Sequence, residues 1–274
     1  MLLRALKDLP TSVNPIRRGD QFIEENREKA LDWIASGYAE QFIPASKTAP
    51  PPVPAPAVAQ VPEQRFPPWH GCTVVVVASG PSLSETQCET VRYWRETRGD
   101  ARVIVINTSF RLAPFADILY ACDGAWWRAE DPETKKTYYA EACEIFPPAA
   151  LWTQDELAAK QFSLNYIASR RTSNLSKDPS YIAQGANSSV QAMNLAYLAG
   201  TRRMLLIGVD LKGKHWHPDH PSPLSNSLPH RAWKENFAVF AADLKAEGVE
   251  VVNCSPDSAL NSFPRGDLAE ELAK

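Results

Sequence analysis

Short apolar runs alternate with amphipathic stretches along most of the chain after residue 70. The runs that predict β-strands are Thr73–Ala78, Arg102–Ile106, Asp117–Cys122, Ala149–Trp152, Met204–Gly208 and Val249–Val252. The helical spacing of apolar residues predicts long helices over Ser82–Thr97, Asn187–Ala199 and Ala232–Glu247. Apolar strands separated by amphipathic helices are typical of a mostly parallel sheet that helices cover on both faces. The pattern therefore predicts a Rossmann-like α/β domain over residues 71–274, whose ligand lies outside the carboxyl ends of the strands.

The chain before this domain has a different composition. The stretch TAPPPVPAPAVAQVPEQRFPP, residues 48–68, is dense in proline. Proline removes amide donors and favours an extended conformation, so residues 46–70 are expected to form a stiff linker, with a proline-motif ligand as the alternative. Residues 1–45 predict a small module with a turn at Gly19-Asp20 and a helix ending near Gly37. It is too small for a core of its own.

Charge, hydropathy and cysteine usage argue against several classes of protein. A net charge of −3 over 274 residues argues against a chain that mainly holds nucleic acid by its phosphates. No apolar run approaches the roughly 20 residues that a membrane span needs, and no secretory signal is recognisable. The five cysteines are scattered without a CxxC pair, which predicts free thiols rather than disulfides or zinc ligands. We expect a cytoplasmic protein, and whether it forms a homo-oligomer stays open.

The first predicted strand runs into a corner of small residues, ASGPSLSE at positions 78–85. Gly80 lacks a Cβ and would permit close approach of a ligand, and Pro81 suits the first turn of a helix. Ser82 and Glu85 have the spacing of a capping box. Free amides at such a helix start favour a phosphate. The alternative is an ordinary well-capped turn, because the glycine pattern is neither a Walker loop nor GxGxxG.

Polar residues also follow other predicted strands or open helices. They are Asn107, Asp123, Ser188, Ser189, Asp210 and Lys212. The carboxyl ends of parallel strands meet at one edge of a sheet, so these side chains are expected to share a cleft. Asp123 and Asp210 have the chemistry to hold a ribose hydroxyl or, through water, a magnesium ion.

The order of several motifs resembles a known group of transferases. ASGPSL, then Asn107, then GANSSVQAMNLAYLAG, MLLIGVDL, His230 and NCSPDSALNSF resemble the bacterial sialyltransferases that use CMP-sialic acid. The set is also similar to motility-associated glycosyltransferases and 6-hydroxymethylpterin diphosphokinases, which share the GPSL corner. The resemblance covers residues 73–264 and implies a nucleotide site that includes Ser79, Gly80, Ser82, Asn107, Ser188 and Ser189.

The chain departs from the sialyltransferases at two places. They have asparagine at the position of Ser79, and two tyrosines that hold the nucleotide phosphate where this chain has His215, Trp216 and His217. These departures argue against CMP-sialic acid itself as the donor. They do not argue against a nucleotide donor with an anionic leaving group.

Histidines form a second set of candidates. His230 matches the position of the sialyltransferase general base, and an imidazole can take a proton from a hydroxyl at neutral pH; capping the following helix is the alternative. His215, His217, Asp219 and His220 have ligand types that suit zinc. Their unpatterned spacing between prolines favours a solvated lid, so we expect no metal there. Trp126 and Trp127 are expected in a lid or acceptor wall, or in packing.

Together these features predict a nucleotide-dependent transferase that moves a sugar from a nucleotide-sugar donor, with a CMP-sugar favoured, to a hydroxyl acceptor. His230 is the expected base. The nucleotide-binding candidates are Ser79, Gly80, Pro81, Ser82, Asn107, Asp123, Ser188, Ser189, Asp210 and Lys212. The alternatives are pyrophosphoryl transfer from ATP with magnesium, as in the pterin diphosphokinases, and an inactive phage-type binding protein.

Overall fold

The computed structural model describes residues 2–5, 21–23, 29, 33–34, 36, 39–41, 66–222, 224 and 231–274, and the chain divides into two units, Met1–Val61 and Pro62–Lys274. In the first unit, β1 (Leu2–Ala5) pairs antiparallel with β2 (Gln21–Ile23) and β3 (Ala39–Gln41). The predicted turn at Gly19-Asp20, the helix end at Gly37 and most of the predicted linker lie outside the described residues.

The second unit is built on a seven-stranded sheet in which every strand pair is parallel. Its strands are β4 (Thr73–Val77), β5 (Ala101–Ile106), β6 (Ile118–Tyr120), β7 (Leu151–Thr153), β8 (Asn165–Tyr166), β11 (Arg203–Ile207) and β12 (Glu250–Asn253). Their order is β12-β11-β4-β5-β6-β7-β8. The prediction of a Rossmann-like α/β fold is confirmed.

Helices surround this sheet. They are α1 (Glu85–Thr97), α2 (Gly124–Arg128), α3 (Tyr138–Cys143), α4 (Glu156–Phe162), α5 (Ser188–Leu198), α6 (Arg231–Ala246) and α7 (Leu268–Leu272). The sequence does not predict the short α2, α3, α4 and α7, because fewer than two full turns leave no readable period. A separate parallel pair, β9 (Ala168–Arg170) and β10 (Tyr181–Ala183), precedes α5. Among the described residues, no helix combines the length and apolar character that a membrane crossing requires.

The core lies on both faces of the sheet. Val74 and Val76 belong to a cluster with residues of α5 and α6, whereas Val75 and Val77 belong to a cluster with residues of α1, α2 and α7. All four valines are fully buried, and burying each contributes roughly 1.5–3 kcal/mol. This two-sided burial is why β4 is apolar at every one of these positions.

The start of α1 differs from the prediction. The helix begins at Glu85, and its capping box joins Ser84 and Gln87, so the predicted box of Ser82 with Glu85 is wrong. Ser82 donates its backbone N–H to the Asp210 carboxylate at 3.0 Å, and Leu83 donates its own to the Gly80 carbonyl at 3.1 Å. These bonds fold residues 80–83 into a turn, which delays the helix and places Pro81 outside its first turn.

All five cysteines are free thiols. Burial raises the pKa of the Cys88, Cys122 and Cys254 thiols to about 12. These three side chains are therefore protonated at neutral pH, and none has the thiolate character that a nucleophile requires.

Candidate functional site

A cleft of about 350 Å³ opens at the carboxyl edge of the sheet. The chain runs from β4 outward to β8 on one side and returns to β11 and β12 on the other, so the strand order reverses between β4 and β11. Ligands of open parallel sheets bind at such a reversal. The residues that line the cleft come mostly from the ends of the strands and the start of α5. They are residues 78–80 after β4, 106–107 at the end of β5, 122–123 after β6, Gln154 after β7, 186–189 at the start of α5 and 208–215 after β11, with Gln184, Gln191, Asp219 and Trp233.

Most of the predicted nucleotide-binding residues meet in this cleft. Those that line it are Ser79, Gly80, Asn107, Asp123, Ser188, Ser189, Asp210 and Lys212. Pro81 is exposed and Ser82 is half-buried, and neither lines the cleft. His230 lies outside the described residues.

The corner after β4 is held by contacts within the protein. The Gly80 N–H donates to the Gly208 carbonyl at 2.7 Å. A Cβ on Gly80 would collide with the Asp210 carboxylate and would lie 2.5 Å from the Gly208 carbonyl oxygen. Gly208 has φ +67, and its own Cβ would lie 2.5 Å from the Ala78 carbonyl oxygen. The glycine at position 80 therefore serves the close approach of two loops, whereas the sequence suggests the approach of a ligand.

Ser79 ties the same corner to the segment after β11. Its carbonyl oxygen accepts the Trp216 N–H at 3.1 Å and lies 3.2 Å from His215 Nδ1. Its hydroxyl lies 2.9 Å from the Ser109 hydroxyl, which also accepts the Trp216 indole N–H at 3.0 Å. Ser79 is only 8% exposed, so these bonds are shielded from water. The loop after β11 is thus fixed on the end of β4.

Three acceptor atoms of the cleft have no hydrogen-bond partner in the described part of the chain. They are Asn107 Oδ1, Gln154 Oε1 and Asp210 Oδ1. Asp210 is only 2% exposed, and leaving such a group unpaired costs about 1–3 kcal/mol. Ser82 Oγ, Trp152 Nε1 and His217 Nε2 are also unpaired but lie outside the cleft lining. A ligand that supplies hydrogen-bond donors would satisfy the three cleft acceptors.

Three of the six described non-glycine residues with positive φ line the cleft. Asn107, Ala186 and Leu211 have φ values of 49, 54 and 48 and all line it. The left-handed region costs a residue with a Cβ roughly 1–3 kcal/mol and is found most often at functional sites. The strain turns three loops so that their polar groups face one space.

The start of α5 faces the cleft directly. Asn187 is its N-cap, and the Asn187 side chain accepts the Ser189 N–H at 2.8 Å. The Ser188 hydroxyl donates to Cys122 Sγ at 3.4 Å across the cleft wall. The positive end of this helix dipole therefore points toward any ligand in the cleft.

The segment after β11 carries the basic side chains of the cleft. Lys212 is exposed and forms no ion pair with any described residue, whereas Lys214 pairs with Asp219 at 3.0 Å. The carboxylates that line the cleft besides Asp219 are Asp123 and Asp210. An anionic part of a ligand would therefore lie nearest Lys212.

Three histidines of this segment pack together. The ring centroids of His215, His217 and His220 lie 4.6 to 5.3 Å apart. Burial lowers the pKa of His217 and of His220 to about 4, so both rings are neutral at pH 7. No group of three or more His, Cys, Asp or Glu side chains is arranged to hold a metal ion among residues 66–222 and 231–274 or the other described positions. Only His215 of the three lines the cleft.

Sequence reasoning misses Gln154, Gln184, Ala186 and Trp233. Gln154 follows β7 directly, so it has the same signal as Asn107, a polar residue at a strand end. The predicted strand ends at Trp152, one residue early, which hides this signal. Trp126 and Trp127 are buried in the core, where Trp126 stacks on Tyr138 at 4.9 Å, and neither lines the cleft.

No family model matches the chain, and no curated protein matches it. Among solved structures, it is similar to the sialyltransferase CstII from Campylobacter jejuni, solved in complex with a substrate analogue, cytidine-5'-monophosphate. The two are 12% identical with a TM-score of 0.42, and the similarity covers 73% of this chain and 87% of that chain. This likeness is too distant to place a ligand or a side chain.

Proposed function

We propose that the cleft binds a nucleotide-sugar and that the domain transfers the sugar to a hydroxyl acceptor. The observation that carries this proposal is the set of unpaired acceptors, Asn107 Oδ1, Gln154 Oε1 and Asp210 Oδ1, beside Lys212, a cation without an ion pair among the described residues. The hydroxyl and amino groups of a nucleoside or a sugar can donate hydrogen bonds to the unpaired acceptors, and a phosphate can pair with the Lys212 ammonium group. A nucleotide-sugar has all of these groups in one molecule.

The charges of the cleft suggest how such a ligand lies. Asp210 Oδ2 is occupied by the Ser82 N–H, and Oδ1 is left for a ribose hydroxyl. A phosphate at the Gly80 corner would face this carboxylate at short range, so the phosphate lies toward Lys212 and the start of α5 instead. Gln154, three strands away from β4, would then contact the far end of the ligand.

The transfer needs one bond to form and one to break. The acceptor oxygen attacks the anomeric carbon, the bond from that carbon to the phosphate oxygen breaks, and its electron pair leaves with the phosphate. The acceptor proton passes to a base, for which the resemblance to sialyltransferases suggests His230. The resemblance to sialyltransferases also makes CMP the favoured nucleotide.

The alternative, pyrophosphoryl transfer from ATP, draws support from Asp123 and Asp210. Both carboxylates line the cleft, and magnesium is commonly bound through one or two carboxylates together with substrate phosphates. A binding protein without activity would use the same cleft without turnover.

Thermal-shift measurements with CMP, UDP, GDP and ATP, each with and without magnesium, separate these candidates. Binding to the folded state stabilises it by about 2.7 kcal/mol at a hundredfold excess over Kd. Stabilisation by CMP without magnesium, followed by release of CMP from a CMP-sugar, would support the sugar transferase. Stabilisation only by ATP with magnesium would favour pyrophosphoryl transfer. Binding of a nucleotide without turnover would support the binding protein without activity. A melting temperature that no nucleotide changes would refute the proposal.

A further inference from the structure

His215 differs from its two neighbouring histidines because it lines the cleft. Its Nδ1 lies 3.2 Å from the Ser79 carbonyl oxygen. A carbonyl oxygen can only accept, so Nδ1 carries the hydrogen, and the neutral ring keeps its lone pair on Nε2. The backbone of the corner after β4 therefore sets the tautomer of an imidazole in the cleft.

The position of this ring is held by its surroundings. Trp216, the next residue, donates its backbone N–H to the same Ser79 carbonyl and its indole N–H to Ser109. His217 and His220 pack against the ring as neutral groups at pH 7. An oriented imidazole whose second nitrogen is unused by the described residues is an arrangement that acid–base catalysts share.

Charged groups around His215 place it at the anionic part of the ligand. On its own segment lie Asp210, Lys212, Lys214 and Asp219, which pairs with Lys214, and from another element of the cleft comes Asp123. Arg111 is near enough to lower the pKa of His217 and His220. Lys212 and His215 both belong to the loop that follows β11, and both line the cleft on the side where the proposed phosphate lies.

We infer that His215 is the general acid that donates a proton from Nε2 of its protonated ring to the leaving phosphate; this inference rests on the proposed sugar transfer. As the bond between the anomeric carbon and the phosphate oxygen breaks, its electron pair moves onto that oxygen, which takes the Nε2 proton. The acceptor oxygen forms the new bond to carbon and releases its own proton to a base. The neutral imidazole then regains a proton from water, so charge and protons balance.

Histidine NMR on the unmodified full chain tests this placement without an activity assay. The imidazole signals of the five histidines, assigned with single variants, would be titrated with pH in the presence and absence of CMP. A phosphate near Nε2 stabilises the imidazolium, so CMP should raise the pKa of His215 by about one unit. His217, which does not line the cleft, should shift much less. CMP binding that leaves His215 unchanged would overturn the inference, whereas no response to any nucleotide would overturn the proposed function.

A pair of variants tests the chemical step. His215→Asn keeps an N–H that can reach the Ser79 carbonyl but removes Nε2. His70→Asn, at an exposed histidine that does not line the cleft, is the matched control. In CMP-sugar turnover, His215→Asn should lower kcat by about 10²–10⁴-fold and abolish the loss of rate at high pH, while CMP affinity falls only a few-fold because the imidazolium is lost. His70→Asn should keep both the rate and its pH profile. Unchanged kcat and pH profile in folded His215→Asn would contradict the inference. If that variant does not fold, the wild-type titration decides.

Discussion

The helices α1 and α5 both start beside a glycine and a pair of serines at the carboxyl edge of the sheet, yet they begin in different ways. At α1, Gly80 and Ser82 are engaged with the loop after β11, and the helix starts only at Glu85, away from the cleft. At α5, Asn187 caps the helix locally, and the serines that follow face the cleft.

The difference between these two helix starts comes from one carboxylate. Asp210 reaches the Ser82 amide across 128 positions of sequence and uses the group that a phosphate would have taken. No described carboxylate is hydrogen-bonded to the first amides of α5, which is capped by a neighbouring amide side chain. The same small residues thus pack two loops together in one place and border a ligand site in the other. Whether a distant residue such as Asp210 binds the free amides decides between these two roles.

The largest effect is expected from Gly80→Ala, which places a Cβ against the Gly208 carbonyl and the Asp210 carboxylate. Because backbone atoms must move, we expect a loss of about 3 kcal/mol in the free energy of unfolding, measured in urea. Gly99→Ala is the matched control, since no described atom lies within 4 Å of the position that its new Cβ would take. Equal stability of the two variants would show that the corner is loosely packed.

Asp210→Asn tests the carboxylate that separates the two helix starts. The amide oxygen can still accept the Ser82 N–H, but the charge that the unpaired Oδ1 offers to a ligand hydroxyl is lost. A hydrogen bond to a charged group is worth about 1.5–3 kcal/mol, so nucleotide affinity should fall about 10- to 100-fold. Calorimetric titration measures this, and wild-type affinity in the variant would remove Asp210 from the site.

Acid should lower the free energy of unfolding through His217 and His220, in the segment after β11 that packs on the Gly80 corner. His217 and His220 have pKa values lowered to about 4, so the folded state binds fewer protons than the unfolded state between pH 6.5 and 4. Their contribution to stability is fully present above pH 6.5 and is lost as the pH falls toward 4. Because both rings are half-buried, we expect roughly 1–2 kcal/mol for the pair.

Comparison of urea unfolding at pH 7 and pH 5 isolates this effect from most carboxylate titration. A variant with both His217→Gln and His220→Gln should lose less stability over this range than the parent chain. An equal loss in both proteins would assign the pH dependence to other groups.

A smaller effect is expected at the start of α5. Asn187→Ala removes the side chain that caps the Ser189 N–H, which should cost about 1 kcal/mol of stability. Ser84→Ala does the same at α1, where the cap lies outside the cleft. Both variants should lose stability alike, but only Asn187→Ala should also weaken nucleotide binding. Weakened binding in both would erase the contrast between the helices.

The smallest change is expected from Gln154→Ala at the far end of the cleft. Its carboxamide oxygen has no partner among the described residues, so removing it should not lower stability and should lower the affinity for a nucleotide-sugar about 3- to 5-fold. The affinity for the nucleotide alone should stay the same. A loss of affinity for CMP itself would place the nucleoside, not the sugar, at β7.

How far the sequence predicts the structure depends on how local each feature is. The strands β4, β5 and β11 are predictable because two-sided burial makes each an apolar run, and parallel strands bring their polar ends to one edge. The helix cap at Ser84 is not predictable from the local sequence. The helix start is moved from Ser82 by the hydrogen bond of Ser82 to Asp210, which lies far away in the sequence. Gln154 is missed because the apolar run places the strand boundary one residue early.

Hydrogen exchange of the backbone amides, measured with and without CMP, tests most directly whether this cleft is the nucleotide site. With CMP bound, we expect slower exchange in residues 78–80, 106–107, 186–189 and 208–215, which line the cleft, and unchanged exchange in α1. Protection confined to another part of the chain, or no protection with any nucleotide, would contradict the assignment of this cleft as the nucleotide site.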